Sequence, residues 1–350
     1  MRFLNLFGGL LMAAQALTTE VTVAFSTHSD QVVLAGSVEL PEGTPHLGLV
    51  LLSVAGPTDR DLTLGPHRYF AELAVGLAEQ GVASLRFDDR GTEASTGAFL
   101  QSTLADRAQD ACAARAKLAA VTQLPLSRIG LLGMSEGSGL SVVAAQHCAS
   151  VPFRVMLSPP VRTGAIEMQS QMQRLLQSAP FTEEQKSAVA KAAIEFLGLV
   201  SAQPPDRQRI HDLLSGPYGQ AILPPYAFVP TGVDQRTDFV LSPWYQSQVH
   251  YDLQDAIQQT AAVPTLAIFG GKDQAIDATA NRQLLQQHMP QAQIEWLPEL
   301  NHLMQAANTG SPMEYGFLPT GFSPQVIALV SQWLQQQINA PEAVNLGDGT

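Results

Sequence analysis

The sequence predicts an α/β protein with a doubly wound, mostly parallel sheet and an inserted helical cap. Three observations carry that expectation. Short, nearly unbroken apolar runs alternate with helix-patterned stretches as far as Pro160. The alternation stops between residues 161 and 262. It resumes at Pro264. Strands covered on both faces read as continuous apolar runs, and parallel strands need helical crossovers between them.

The elements follow in order. Residues 1–16 hold Arg2, an apolar run from Phe3 to Leu11 and the small-x-small triplet Ala14-Gln15-Ala16. That is the pattern of a secretory signal, so export to the periplasm or the medium is expected. The run is too short to span a bilayer, so no stable membrane insertion is expected after signal removal. Glu20 to Ser26 and Gln31 to Leu40 alternate as an antiparallel strand pair does. Leu47 to Val54 and Val82 to Phe87 read as buried strands, with a helix from Tyr69 to Gln80 between them. An alanine-rich helix, Leu104 to Val121, precedes the strand Arg128 to Leu132. A small-residue helix from about Gly139 to Cys148 and a strand from Phe153 to Leu157 come next.

Within 161–262 the helices expected are Glu167 to Gln177, Thr182 to Val200 and Asp206 to Leu214. The second opens on the capping box Thr182-Glu183-Glu184-Gln185. Pro264 to Phe269 and Ala292 to Leu297 return to the sheet, and Pro324 to Gln337 closes it. The chain therefore divides into a core (17–160 and 263–340), a cap (161–262) and a polar tail (341–350).

The chemistry is carried by Gly133-Met134-Ser135-Glu136-Gly137, placed between a strand and a helix. A strand, then Gly-x-Ser-x-Gly, then a helix is the nucleophile elbow. The serine must stand on a turn so tight that side chains two residues away would crowd it. A serine hydroxyl is a weak nucleophile and needs a base, which needs an orienting acid. In the required order of serine, acid and histidine, Asp273 follows one strand and His302 follows the next. Active sites of open α/β sheets form at the carboxyl ends of strands. Ser135, Asp273 and His302 are thus the expected triad.

The backbone N–H of Glu136 is one expected oxyanion donor. The second is expected from Ala55 or Gly56, since the following Pro57 has no N–H. Arg86 to Gly91 suggests an ion-pair network more than a substrate contact. Met168, Met172, Phe196, Tyr226, Phe228, Trp244 and Tyr245 give the cap its apolar residues. Trp244 and Tyr245 are expected to face a substrate pocket, with His67 at its mouth.

A net charge of −12 argues against nucleic acid or an anionic membrane as partner. No cysteine–histidine cluster has metal-ligand spacing, so no metal and no cofactor are expected. Cys112 and Cys148 fall in helices flanking the elbow strand, and their spacing fits a disulfide or two free thiols alike. Oligomeric state is not legible.

Taken together, these segments resemble the α/β-hydrolases, in the branch of bacterial carboxylesterases related to serine aminopeptidase-like hydrolases. The matching stretches are Gly56 to Asp61, Arg86 to Gly91, Gly133 to Gly137, Ser242 to Tyr245, Gly271 to Asp273 and Asn301 to Leu303. Glu314-Tyr315 and the last helix extend the match, which runs from about residue 20 to residue 338. The resemblance implies a small-molecule ester of small or medium acyl length as substrate, cleaved through an acyl-enzyme. One departure is Val54, where similar esterases carry an extra glycine in the oxyanion loop. A peptidase or amidase with the same triad, and a non-catalytic binding protein on the same fold, are the alternatives.

Overall fold

The computed structural model describes residues 18–27, 32–223 and 228–339. The expected signal segment, the tail from residue 341 and Tyr226 lie outside these residues. Eight strands form one sheet: β1 (Thr19–Ser26), β2 (Val33–Leu40), β3 (Leu47–Leu52), β4 (Val82–Phe87), β5 (Ile129–Met134), β6 (Arg154–Leu157), β7 (Thr265–Gly270) and β8 (Gln293–Leu297). Their spatial order is β1-β2-β4-β3-β5-β6-β7-β8. The pairs β1–β2 and β2–β4 are antiparallel, and every later pair is parallel.

The order reverses at β3. From β3 the chain moves to β4 on one side, then crosses to β5 on the other. The loops leaving β3 and β5 therefore diverge and open a crevice at their carboxyl ends, where ligands of such sheets bind.

Alternation along β3 buries both faces of the sheet. Leu47, Leu49 and Leu51 join a cluster with Tyr69 and Leu73 of α1 (Tyr69–Ala78) and Val330 and Leu334 of the last helix. Val50 and Leu52 join a second cluster with Leu118 of α2 (Leu104–Thr122) and Leu140 of α3 (Glu136–His147). Each fully buried leucine contributes about 2 kcal/mol through removal from water.

Between β6 and β7 run α4 (Gly164–Ser178), α5 (Glu183–Val200), α6 (Arg207–Ser215), α7 (Gly219–Ile222), α8 (Val233–Val240), α9 (Pro243–His250) and α10 (Leu253–Gln259). The α5 capping box forms as its sequence requires: Gln185 N–H donates to Thr182 Oγ1, and Thr182 N–H to Gln185 Oε1. Phe196, Ile210, Phe239, Trp244 and Tyr245 make a separate cap core, reached from below by Phe99 and Ala55. The expected cap boundary needs one adjustment. Helix α10 packs its Leu253, Ala256 and Ile257 with Val142 of α3 and Phe269 of β7, so it belongs to the core layer. Helices α11 (Ala278–His288) and α12 (Pro324–Asn339) complete the flanks. Among the described residues no helix is long and apolar enough to cross a membrane.

The choice left open for the two cysteines is resolved: Cys112 of α2 and Cys148 beyond α3 are disulfide-bonded, 36 residues apart in sequence. Closing a loop of that length restricts the unfolded chain by about 3–4 kcal/mol in the chain-entropy model. Urea unfolding with and without reductant should show a loss of roughly that size. A Cys112→Ser/Cys148→Ser variant should match the reduced protein, with native activity retained below its own transition.

Candidate active site

Ser135 sits between β5 and α3 at φ 54° and ψ −120°, a conformation non-glycine residues rarely adopt. The surroundings hold it there. Its N–H donates to the Leu157 carbonyl at the end of β6 (2.8 Å). A Cβ on Gly133 would stand 2.0 Å from the Gly137 carbonyl oxygen, and one on Gly137 would stand 2.1 Å from the Leu52 carbonyl oxygen. Both glycines are required by space rather than by positive φ. Helix α3 starts at Glu136, three residues before the patterned stretch suggests, because the serine itself is the helix N-cap. As the first helical residue, Glu136 has an N–H with no acceptor inside the helix.

Asp273 and His302 form the second half of the site. His302 Nδ1 donates to Asp273 Oδ2 at 2.7 Å. Asp273 Oδ1 accepts the N–H groups of Ala275 (2.8 Å) and Ile276 (3.0 Å). The carboxylate is thus pinned on both oxygens, and its side chain is fully enclosed. A carboxylate accepts, so Nδ1 carries a proton and Nε2 is left as the basic nitrogen of the neutral ring. Asn301 shapes the turn that presents His302: its Oδ1 accepts from the N–H groups of Leu303 and Gln305, both at 3.0 Å.

One residue of this assembly escaped sequence reasoning. Ser158, at φ 45°, donates its hydroxyl to the His302 carbonyl at 2.8 Å. Since Leu157 holds the Ser135 N–H, two consecutive residues tie the elbow to the histidine loop. Only its position, directly after a central strand and before Pro159-Pro160, could have singled it out. Among the described residues no hydrogen bond joins Ser135 Oγ to His302. Such contacts often close only once substrate is bound.

Ser135 and Glu136 border a cavity of about 180 Å³ between core and cap. Ala55, Trp244 and Tyr245 line it, with Phe196, Phe228 and Phe239 on its aromatic side. Gly56, at φ 89°, packs so closely on the Phe228 ring that a Cβ would lie 2.5 Å from it, and it does not border the cavity. Ala55 is the better placed of the two expected donors. His67 is a correction. It pairs with Leu64 in a short hairpin of Thr63-Leu64 and His67-Arg68, and its Nε2 donates to the Leu318 carbonyl at 2.8 Å. Its ring lies 5.7 Å from Tyr69, so a buried carbonyl and a core aromatic claim it instead of the cavity mouth.

The charged loop after β4 is structural. Arg86 bonds Asp61 (2.7 Å) and also faces Glu39 and Glu20, while Asp88 holds Arg60 through its backbone N–H and its guanidinium. These pairs anchor the Gly56 to Asp61 segment that follows β3.

No protein-family model matches the chain. Esterase EstD of Thermotoga maritima is 25% identical over 312 residues, covering 86% of this chain and 65% of EstD. The chain therefore spans less than two thirds of that relative's length. Among solved structures, the alpha/beta hydrolase GrgF from Penicillium sp. sh18 superposes with a TM-score of 0.56 at 16% identity, over 92% of this chain and 99% of GrgF. Pyrococcus furiosus esterase Pf2001 gives 0.55 at 14% identity, over 91% of each chain. With this sheet order and elbow, the chain has the α/β-hydrolase fold.

Asp273→Asn should keep the two backbone hydrogen bonds to Oδ1 but lose the acceptor that fixes the His302 tautomer. Turnover should fall by about 10³–10⁴-fold, with a thermal midpoint close to the parent's. A rate assay paired with calorimetry checks both.

Proposed function

We propose that the chain is a serine hydrolase that cleaves carboxylic esters of small to medium acyl groups. The observation that carries this reading is the combination, at the carboxyl ends of parallel strands, of a serine held at positive φ and a histidine already bonded to a buried aspartate. Ser135 Oγ attacks the ester carbonyl while His302 Nε2 takes its proton. The Asp273 carboxylate stabilises the imidazolium that results. The N–H groups of Glu136 and Ala55 receive the oxyanion. The alcohol leaves with the proton from His302, and water then releases the acid by the same steps. The apolar cavity bordering Ser135 suits an acyl group of modest size. The likeness to EstD supports the ester class.

A second reading, cleavage of amides that carry an amine, is favoured by one observation. In the cavity wall, Glu167 Oε2 accepts from Asn281 Nδ2 (3.2 Å), but its Oε1 is buried with no hydrogen-bond partner. Burial pushes this carboxyl up, against the pull of Asn281 and Arg162. An ammonium group would supply both a donor and a countercharge.

Export belongs to the same proposal. It rests on the signal-like pattern of residues 1–16 and on a disulfide suited to an oxidising compartment.

A series of p-nitrophenyl esters of increasing acyl length should be hydrolysed with an optimum at short or medium chains. Ser135→Ala should abolish both this activity and labelling by a fluorophosphonate. Faster turnover of aminoacyl anilides than of the esters would move the assignment to the second reading. Absence of any Ser135 adduct would leave only a binding role. N-terminal sequencing of protein recovered outside the cytoplasm should begin near residue 17; an intact Met1 there would overturn export.

A further inference from the structure

The two loops expected to offer oxyanion donors come from different strands, and among the described residues no backbone hydrogen bond joins Ala55 or Gly56 to Ser135 or Glu136. A chain of buried and half-buried polar groups joins them. On the β3 side, Thr58 donates its backbone N–H (3.0 Å) and its hydroxyl (2.9 Å) to Asp89 Oδ2, and its hydroxyl lies 2.5 Å from Ser53 Oγ. Ser53 and Thr58 bracket Ala55. Asp89 Oδ1 faces Arg107 Nη2 at 3.7 Å. On the elbow side, Arg107 Nη1 donates to Glu136 Oε1, which the Trp244 indole N–H also approaches at 3.4 Å. The Phe99 ring covers the guanidinium at 4.8 Å.

Arg107 is 3% exposed and Asp89 8% exposed. Burial pushes the Asp89 carboxyl up, against the pull of Arg107 and Thr58. Burial opposes the charge on Arg107, yet Glu136 and Asp89 outweigh it and hold its pKa above the usual value. Buried ion pairs contribute little net stability compared with apolar residues of the same shape. A charge network that joins two loop ends and one cap residue is explained if geometry is what it provides.

We propose that Arg107 is a positioning residue that sets the spacing between the Glu136 N–H and the N–H of Ala55. It rests on the ester-hydrolase reading of the site. Oxyanion donors act only if they are held about 3 Å from where charge develops. Removing the link leaves both donors present but free to part. The loss falls on the transition state and not on ground-state binding.

The test compares Arg107→Met, Arg107→Lys and Glu136→Gln with Arg115→Met. Arg115 lies on the same helix and is as deeply buried, but it bonds the carbonyls of Leu126, Ile129, Ala149 and Ser150, away from the elbow. Two readouts are needed: kcat and KM for p-nitrophenyl butyrate, and the affinity of a trifluoromethyl ketone, whose adduct with Ser135 carries an oxyanion. Arg107→Met should lower kcat by about 10²-fold with KM within about threefold, and weaken the ketone in proportion. Arg107→Lys should recover part of the loss, and Glu136→Gln, which breaks the link from the other end, should show the same pattern in milder form. Arg115→Met should lower the thermal midpoint while kcat stays near the parent value. A kcat loss in Arg107→Met and Glu136→Gln no larger than in Arg115→Met, or a change in KM alone, overturns the inference while leaving the ester reading intact. A parent protein that neither cleaves the ester nor binds the ketone overturns the reading itself, and the inference with it.

Discussion

The close approach of three backbones at the elbow is the constraint on which the site depends. Gly133, Gly137 and the end of β3 meet with no room for a methyl group. That contact presses the start of α3 against β3 and forces Ser135 into its positive-φ turn. The strain of one such residue costs on the order of 1–3 kcal/mol, which the packing of β3 and β5 on both faces readily offsets. The strained serine at the cavity is therefore a product of the core rather than of the loop that carries it.

Around this point the molecule divides its tasks. The sheet fixes where Ser135, Asp273 and His302 emerge, because each follows the carboxyl end of a parallel strand. Hydrogen bonds from loop residues then aim the side chains: Ala275 and Ile276 aim Asp273, Asn301 shapes the histidine turn, and Ser158 ties that turn to the strand beside the elbow. The cap adds the walls of the cavity and has a core of its own. Arg162 and Arg174 in the cap, both facing Asp277 at the start of α11, mark where the two parts are clasped.

Much of this was legible because the relevant signals are local. Continuous apolar runs identify buried parallel strands, and the elbow is a short motif with a steric cause. The order of serine, acid and histidine, each after a strand, pointed to three residues that the fold carries at the carboxyl ends of parallel strands, two of them hydrogen-bonded to each other. What escaped depends on contacts across long separations. His67 carries no mark that its partner would be the Leu318 carbonyl, 251 residues away. Helix α10 lies where the sequence pattern indicates no helix, and only its packing on α3 and β7 assigns it to the core layer. Arg107 sits in an alanine-rich helix whose pattern indicates amphipathicity and nothing of Asp89 or Glu136. The two cysteines were visible, but their union required knowing that the end of α3 lies beside α2.

The chain has three tryptophans, and they occupy three different surroundings. Trp333 is packed edge-on to Phe153 in the core, and Trp296 lies under the Arg282 guanidinium on the last strand. Trp244 alone borders the cavity, among Phe99, Phe228, Phe239 and Tyr245. Its indole is thus the single fluorophore of its kind whose emission an occupant of the cavity can alter directly. The protein carries its own optical gauge of occupancy, distinct from the two indoles that report on folding.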